Sequence, residues 1–323
     1  MITTGLKGGS MQHADVMFDP DLAKLSKSEW LSEIEAVTKK QGFFESLGNR
    51  HYAGFVSCGD TLLVTFESIQ GIRTLCESEQ PFGFEMVRSQ EWSHLCMISD
   101  GDTWFRDPQI FNFFDRLIDD GFFEEFDNVV FYGAGPCGYA ASTFSVAAPG
   151  STVVVVQPQA TLDPQMTEWD DRFKHMRKTS FTNRFGYAPD MLDACAQAYV
   201  LYDPAETMDA MHAVLFERSN VTRLPMRFIG DAIQSDLLAM GILVPMLTQA
   251  KNGRLDKTSF AALYRTRRTH RPYLWRLMAA LDKQGREKLA RIVAQNVTSR
   301  MKAPRFHRRL DEIQTKTRSS IEG

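Results

Sequence analysis

The stretch Gly133-Ala134-Gly135-Pro136-Cys137-Gly138 holds the residue types best spaced for chemistry. It lies between the apolar run Val129-Val130-Phe131-Tyr132 and a small-residue segment, Tyr139 to Ala148. A turn of this kind can simply pack tightly, and three chemical uses compete with that one. It can cradle a phosphate on backbone N–H groups, since the six residues match G-x-G-x-x-G as a string. A dinucleotide site also wants an acidic residue about 20 positions on, at the end of the next strand. Here that strand ends in Gln157, with Asp163 beyond it, and Pro136 removes one N–H donor. The turn can instead raise a nucleophile, as in G-x-S-x-G. Gly135 then stands where the hydroxyl is needed, and Pro136 where an N–H should be lent to an oxyanion. Lastly, Cys137 lies two residues past that apex, near a helix N-terminus, where a thiol is acidified.

A cysteine nucleophile needs a base. His212 is the candidate, with Asp209 three residues earlier on a predicted helix and so on the same face. The first reading of Asp209 and His212 is nevertheless a surface pair. Asp231, after a late strand, is the candidate acid. Residues at predicted strand ends form the ligand-binding set: Gly133, Gly135, Pro136, Cys137, Gln157 and Gln159, with Asp203 also at a strand end. The five cysteines include no C-x-x-C and the seven histidines no H-x-x-x-H, so the expectation is no metal, no disulfide framework and no cofactor.

These residues need a scaffold, and the spacing of apolar residues predicts one. Ser28 to Lys40 carries Trp30, Leu31, Ile34 and Val37 on one helical face. His51–Val56 and Leu62–Phe66 read as strands joined by hairpin chemistry at Cys58-Gly59-Asp60. Leu95–Ile98, Val129–Tyr132, Thr152–Val156, Tyr199–Tyr202 and Met226–Ile229 read as further strands, with helices between them. Runs without polar alternation fit strands buried on both faces. The expected class is therefore α/β, a three-layer parallel sheet with a helical C-terminal extension. The expected division is an N-terminal helical segment (1–50), a core (51–236) and a helical basic region (237–323).

With 43% hydrophobic and 24% charged residues, the chain can bury a core, which excludes disorder over most of its length. No apolar run approaches a membrane span, and the first residues lack a signal-peptide core, so a cytoplasmic protein is expected. The net charge of −3 hides an asymmetry: residues 251–323 carry +13 and the rest −16. The arginines around Tyr264, Tyr273 and Trp275 suit docking on the acidic body, with stems over apolar surface. A nucleic-acid partner is not expected.

The chain resembles the α/β-hydrolase-like proteins associated with bacterial surface-polysaccharide biosynthesis. Those carry a strand followed by Y-G-S-S-M-G-G-Y-A-A and then a strand ending in P-Q. This chain reads Tyr132-Gly133-Ala134-Gly135-Pro136-Cys137-Gly138-Tyr139-Ala140-Ala141, then Gln157-Pro158-Gln159. Phe66-Glu67, Trp104-Phe105-Arg106 and Trp169-Asp170-Asp171 follow the same pattern. The resemblance implies a sheet of α/β-hydrolase type and a small-molecule or glycan-related ligand. The departure at Gly135 and Pro136 implies a degenerate site without the serine triad. The function expected is ligand or partner binding without catalysis, in glycan or envelope metabolism; the alternative is a hydrolase or acyltransferase using Cys137. A phosphoadenosine phosphosulfate reductase reading lacks its motifs: there is no S-G-G-x-D-S loop and no cysteine after Cys195.

Overall fold

A central sheet of eight strands organises the computed structural model, which describes residues 18–75 and 77–322. The strands are β1 (Gly42–Leu47), β2 (His51–Val56), β3 (Thr61–Ser68), β4 (Ser93–Ser99), β5 (Asn128–Ala134), β6 (Thr152–Val156), β7 (Gln197–Tyr202) and β8 (Val221–Pro225). Their order is β1-β2-β4-β3-β5-β6-β7-β8. β2 is antiparallel to both β1 and β4, and every other pairing is parallel. This is the α/β-hydrolase arrangement of the sheet.

Successive residues of a strand face opposite sides, and both sides are covered. Leu62, Val64 and Phe66 of β3 pack with Phe131, Val153 and Val155 under the helices Pro108–Asp119, Pro136–Phe144 and Thr207–Leu215. Leu63, Tyr132, Val154 and Val156 face the helices Phe82–Gln90, Ile233–Ala239 and Leu243–Lys251. The helix Lys27–Gln41 starts at a capping box of Ser26 and Glu29 and buries Trp30 and Ile34.

Two expectations need correction. β2 and β3 do not form a hairpin: β4 lies between them, and the turn after β2 leads into a parallel neighbour of β4. The apolar segment Met226–Ile229 is not the last strand. That strand is β8, which lies at the sheet's edge and carries Arg223, while Met226 and Ile229 fill the core as coil. An edge strand has only one neighbour and does not need a continuous apolar run.

Among the described residues, no single helix is long and apolar enough to cross a membrane. The pair Ile233–Ala239 and Leu243–Lys251 reaches that length only jointly, across a 96° bend. Its side chains Ile233, Leu237, Met246 and Leu247 are buried against the sheet.

The basic helices Arg271–Lys283, Glu287–Arg300 and Pro304–Glu322 have a core of their own, built from Leu274, Met278, Ala290, Ala294 and Phe306. They are tied to the body at Asp236, which is buried on the helix Ile233–Ala239. His270 Nε2 lies 2.7 Å from its Oδ1, and Arg276 donates to its Oδ2 at 2.6 Å. Replacing Asp236 by alanine leaves the His270 ring and the Arg276 guanidinium facing a vacated site. Breaking such a pair costs about 3 kcal/mol. The expected result is faster tryptic cleavage at Arg265 to Arg276; an unchanged cleavage rate would remove Asp236 as the anchor.

Candidate functional site

The turn after β5 has the backbone of a nucleophile elbow. Gly135 sits at φ 56° and ψ −125°, its N–H donates to Val156 O at 2.8 Å, and its carbonyl accepts from Tyr139 N–H at 3.0 Å. A positive φ is costly for any residue with a Cβ and free for glycine. Gly133 serves a different need: a Cβ there would lie 2.2 Å from the carbonyl oxygen of Cys137. The strand and helix can turn this sharply only because that position is bare. At Gly135 an added Cβ would meet nothing within 4 Å. The apex thus has room for a serine and lacks one. Pro136 opens the helix at its first position, where its fixed φ suits the helix but offers no N–H.

Cys137 is half-buried and packs against the core. Burial pushes its thiol far up, and the nearby Glu67 and Asp102 carboxyls push the same way. The helix N-terminus does not win here: desolvation and two acidic neighbours keep the group as thiol.

Above the turn, at the carboxyl ends of β3, β4 and β5, lies a cavity of about 130 Å3. Ala134, Pro136 and Cys137 form one side, and Phe66, Trp104 and Phe105 form its aromatic wall. The polar lining is Glu67, Ser68, Ser99, Asp102, Thr103 and Gln234, and among the described residues no lining residue is cationic. Trp104 and Phe105 are consecutive, fully buried, and both at positive φ (50° and 53°). Bulky residues in that region cost about 1–3 kcal/mol each and persist where the surroundings hold them. The Trp104 indole N–H has no partner among the described residues. Arg106, next in the chain, turns away: its guanidinium donates to Tyr139 Oη, Ser180 O and Asn183 and stacks on Phe111 and Phe181.

The remaining site candidates gather elsewhere. Asp209 and His212 are not a surface pair; both are buried in one network. His212 Nδ1 accepts from Ala160 N–H at 3.1 Å, and Nε2 faces Asp170 Oδ2 at 3.0 Å. Both ring nitrogens are engaged, so this imidazole has no free lone pair for a base. Arg172 grips Asp170 through Nε and Nη2 and reaches Asp209 Oδ1 at 2.7 Å. Gln157 donates to Asp209 Oδ2 at 2.7 Å, which closes the chain of contacts. Burial alone would raise the Asp170 carboxyl, yet the His212 hydrogen bond and Arg172 hold it well below the usual carboxylate range. Gln159 is buried and donates to Gln157 O. Neither glutamine lines the cavity at the elbow.

Asp231 is exposed and lies well past the end of β8. The acid directly at the carboxyl end of one of the last two strands is Asp203, after β7. It is buried, and its two oxygens accept the backbone N–H groups of Ala205 and Gly230, both at 2.8 Å. It anchors the loop after β8 rather than a histidine. Of the sequence candidates, Pro136 and Cys137 meet at the cavity, while Gln157 and His212 meet in the Asp170–Arg172 network. Glu67, Asp102 and Trp104, which shape the cavity, carry no local motif; only the resemblance marks Glu67 and Trp104.

No protein family and no curated protein matches the sequence. Solved structures similar to it include a glycosylation-associated protein complex, Gap123, from Streptococcus agalactiae, 13% identical over 66% of this chain and 47% of that one, with a TM-score of 0.42. This chain thus spans about half the length of that relative. A bacterial heroin esterase is 14% identical over 64% of this chain and 80% of its own, at 0.44. The capsule O-acetyltransferase of Neisseria meningitidis serogroup A is 12% identical over 60% of this chain and 91% of its own, at 0.35. An esterase, a glycosylation-associated protein and a capsule O-acetyltransferase are thus among its structural neighbours.

Proposed function

We propose that this protein binds, without turning it over, a small hydroxyl-rich ligand in the cavity above the elbow. The observation that carries the reading is Gly135. The elbow backbone is kept and its apex is open, yet the reacting side chain is absent and the next residue cannot donate. Without a nucleophile no covalent intermediate forms, and without the N–H an oxyanion loses a donor worth about 3 kcal/mol. The lining supports the ligand class: carboxyl, hydroxyl and amide groups beside an aromatic wall, and no cation to hold an anionic ligand. The motif resemblance of the elbow segment supports a ligand from glycan or envelope metabolism.

A second reading, acyl transfer through Cys137, has the cysteine's position in the cavity in its favour. Its thiol state speaks against it. One experiment separates the two. Hydrolysis of short-chain aryl esters and thioesters is measured with wild type, Gly135→Ser and Cys137→Ala. The expected rate for all three is that of the protein-free control, because a serine at 135 still finds no free imidazole. Wild-type turnover that disappears in Cys137→Ala would replace the binding reading with the cysteine enzyme. In parallel, neutral mono- and disaccharides are screened by saturation-transfer NMR. Asp102→Ala is expected to weaken any binding about tenfold, the loss of one charge-assisted hydrogen bond. Binding untouched by that change would move the ligand out of this cavity.

A further inference from the structure

We infer that Glu67, His94 and Cys96, with the Thr65 hydroxyl, form a structural site for one zinc-type divalent ion beneath the floor of the cavity. The four residues alternate along two neighbouring parallel strands, Thr65 and Glu67 on β3 and His94 and Cys96 on β4, with Thr65 beside Cys96 in the register. All three metal-ligating side chains are buried, and their donor atoms lie within 4.8 Å of one another. Thr65 Oγ1 sits among them, 2.7 Å from Glu67 Oε1, 2.8 Å from His94 Nε2 and 3.5 Å from Cys96 Sγ, and Sγ is 3.6 Å from Oε1. Ligand bonds of about 2.0–2.3 Å put neighbouring donors of a tetrahedral zinc about 3.3–3.8 Å apart. The four atoms therefore reach that geometry by shifts of an ångström or less.

Charge supports the same occupant. One thiolate, one carboxylate and one neutral imidazole bring two negative charges to a divalent cation, so the loaded site is neutral in a dry interior. A mixed sulfur, nitrogen and oxygen set suits zinc and its neighbours, not magnesium or calcium. The surroundings hold the donors in place. The other oxygen of Glu67 accepts the Phe82 backbone N–H at 3.1 Å. The helix Phe82–Gln90 closes on the imidazole through Gly83, where a Cβ would lie 2.1 Å from Nε2. Glu67 also lines the cavity, which supplies the route inward. With all four positions filled by the chain, none stays open for water, which makes the site structural. Spacing along the sequence hides it, because the ligands come from strands separated by two helices, Ile69–Leu75 and Phe82–Gln90.

The test is titration of the chelator-treated full chain with Co2+ and Zn2+. We expect one equivalent bound, a thiolate-to-cobalt charge-transfer band in the near ultraviolet, and competition by Zn2+. Cys96→Ala is expected to abolish the band and weaken binding at least 100-fold, while Cys137→Ala and Cys195→Ala keep both. No stoichiometric uptake by wild type, or a band that survives Cys96→Ala, overturns the inference. X-ray absorption of the cobalt-loaded wild type needs no variant: one sulfur and three lighter donors are expected, and zero or two sulfurs would refute the site. None of these outcomes depends on what the cavity binds.

Discussion

Replacing Gly133 by alanine is expected to destabilise the protein by about 3 kcal/mol or more, the upper range for forcing atoms into a filled space. The added Cβ meets the backbone of Cys137, whose carbonyl oxygen lies 2.2 Å away, and Gly138 N at 2.9 Å. Backbone in the first turn of a helix cannot step aside as a flexible side chain does. Gly135→Ala provides the internal contrast. Its added Cβ meets nothing within 4 Å, and its cost is the positive φ alone, about 1–3 kcal/mol. Urea unfolding of the two variants beside wild type measures both. Equal costs, or the reverse order, would show that the turn is not held by the close approach at Gly133.

The second large effect concerns Asp170. Its side chain is fully buried and joins His212 to Arg172. Asp170→Ala strands the Nε2–H of a fully buried imidazole and half-releases Arg172, which keeps Asp209. The expected loss is about 3 kcal/mol. The direction of the Asp170 shift also sets a pH dependence. Its carboxyl titrates lower in the folded chain than in the unfolded one, so its contribution is complete above about pH 4 and is lost as the pH falls further. The gap between wild type and Asp170→Ala in urea midpoint should be constant from pH 7 to 5 and narrow below about pH 4. A gap that stays constant down to pH 3 would contradict this coupling.

The parallel core was legible in the sequence because its strands are buried on both faces. Val129–Tyr132 and Thr152–Val156 are unbroken apolar runs, and the strands observed there are Asn128–Ala134 and Thr152–Val156. β1 and β8 were not legible for the opposite reason. They form the edges of the sheet, and their sequences mix polar and apolar residues. The turn at Gly133 was readable because backbone geometry restricts it to a few residue types. The cavity was not, since Glu67 at the end of β3 and Asp102 and Trp104 after β4 are brought together only by the sheet order. The surface reading of Asp209 and His212 failed for a related reason. Helical spacing places two residues on one face, but it does not say that Arg172 and Asp170 will close over that face.

The elbow offers two positions of opposite tolerance, two residues apart. Position 133 is closed to every side chain, because the first atom of any of them meets the Cys137 carbonyl. Position 135 is open in space, and a side chain there costs only its backbone angle, about 1–3 kcal/mol. A cysteine carrying a spectroscopic label can therefore be introduced at 135 and not at 133, so the turn comes with its own attachment point.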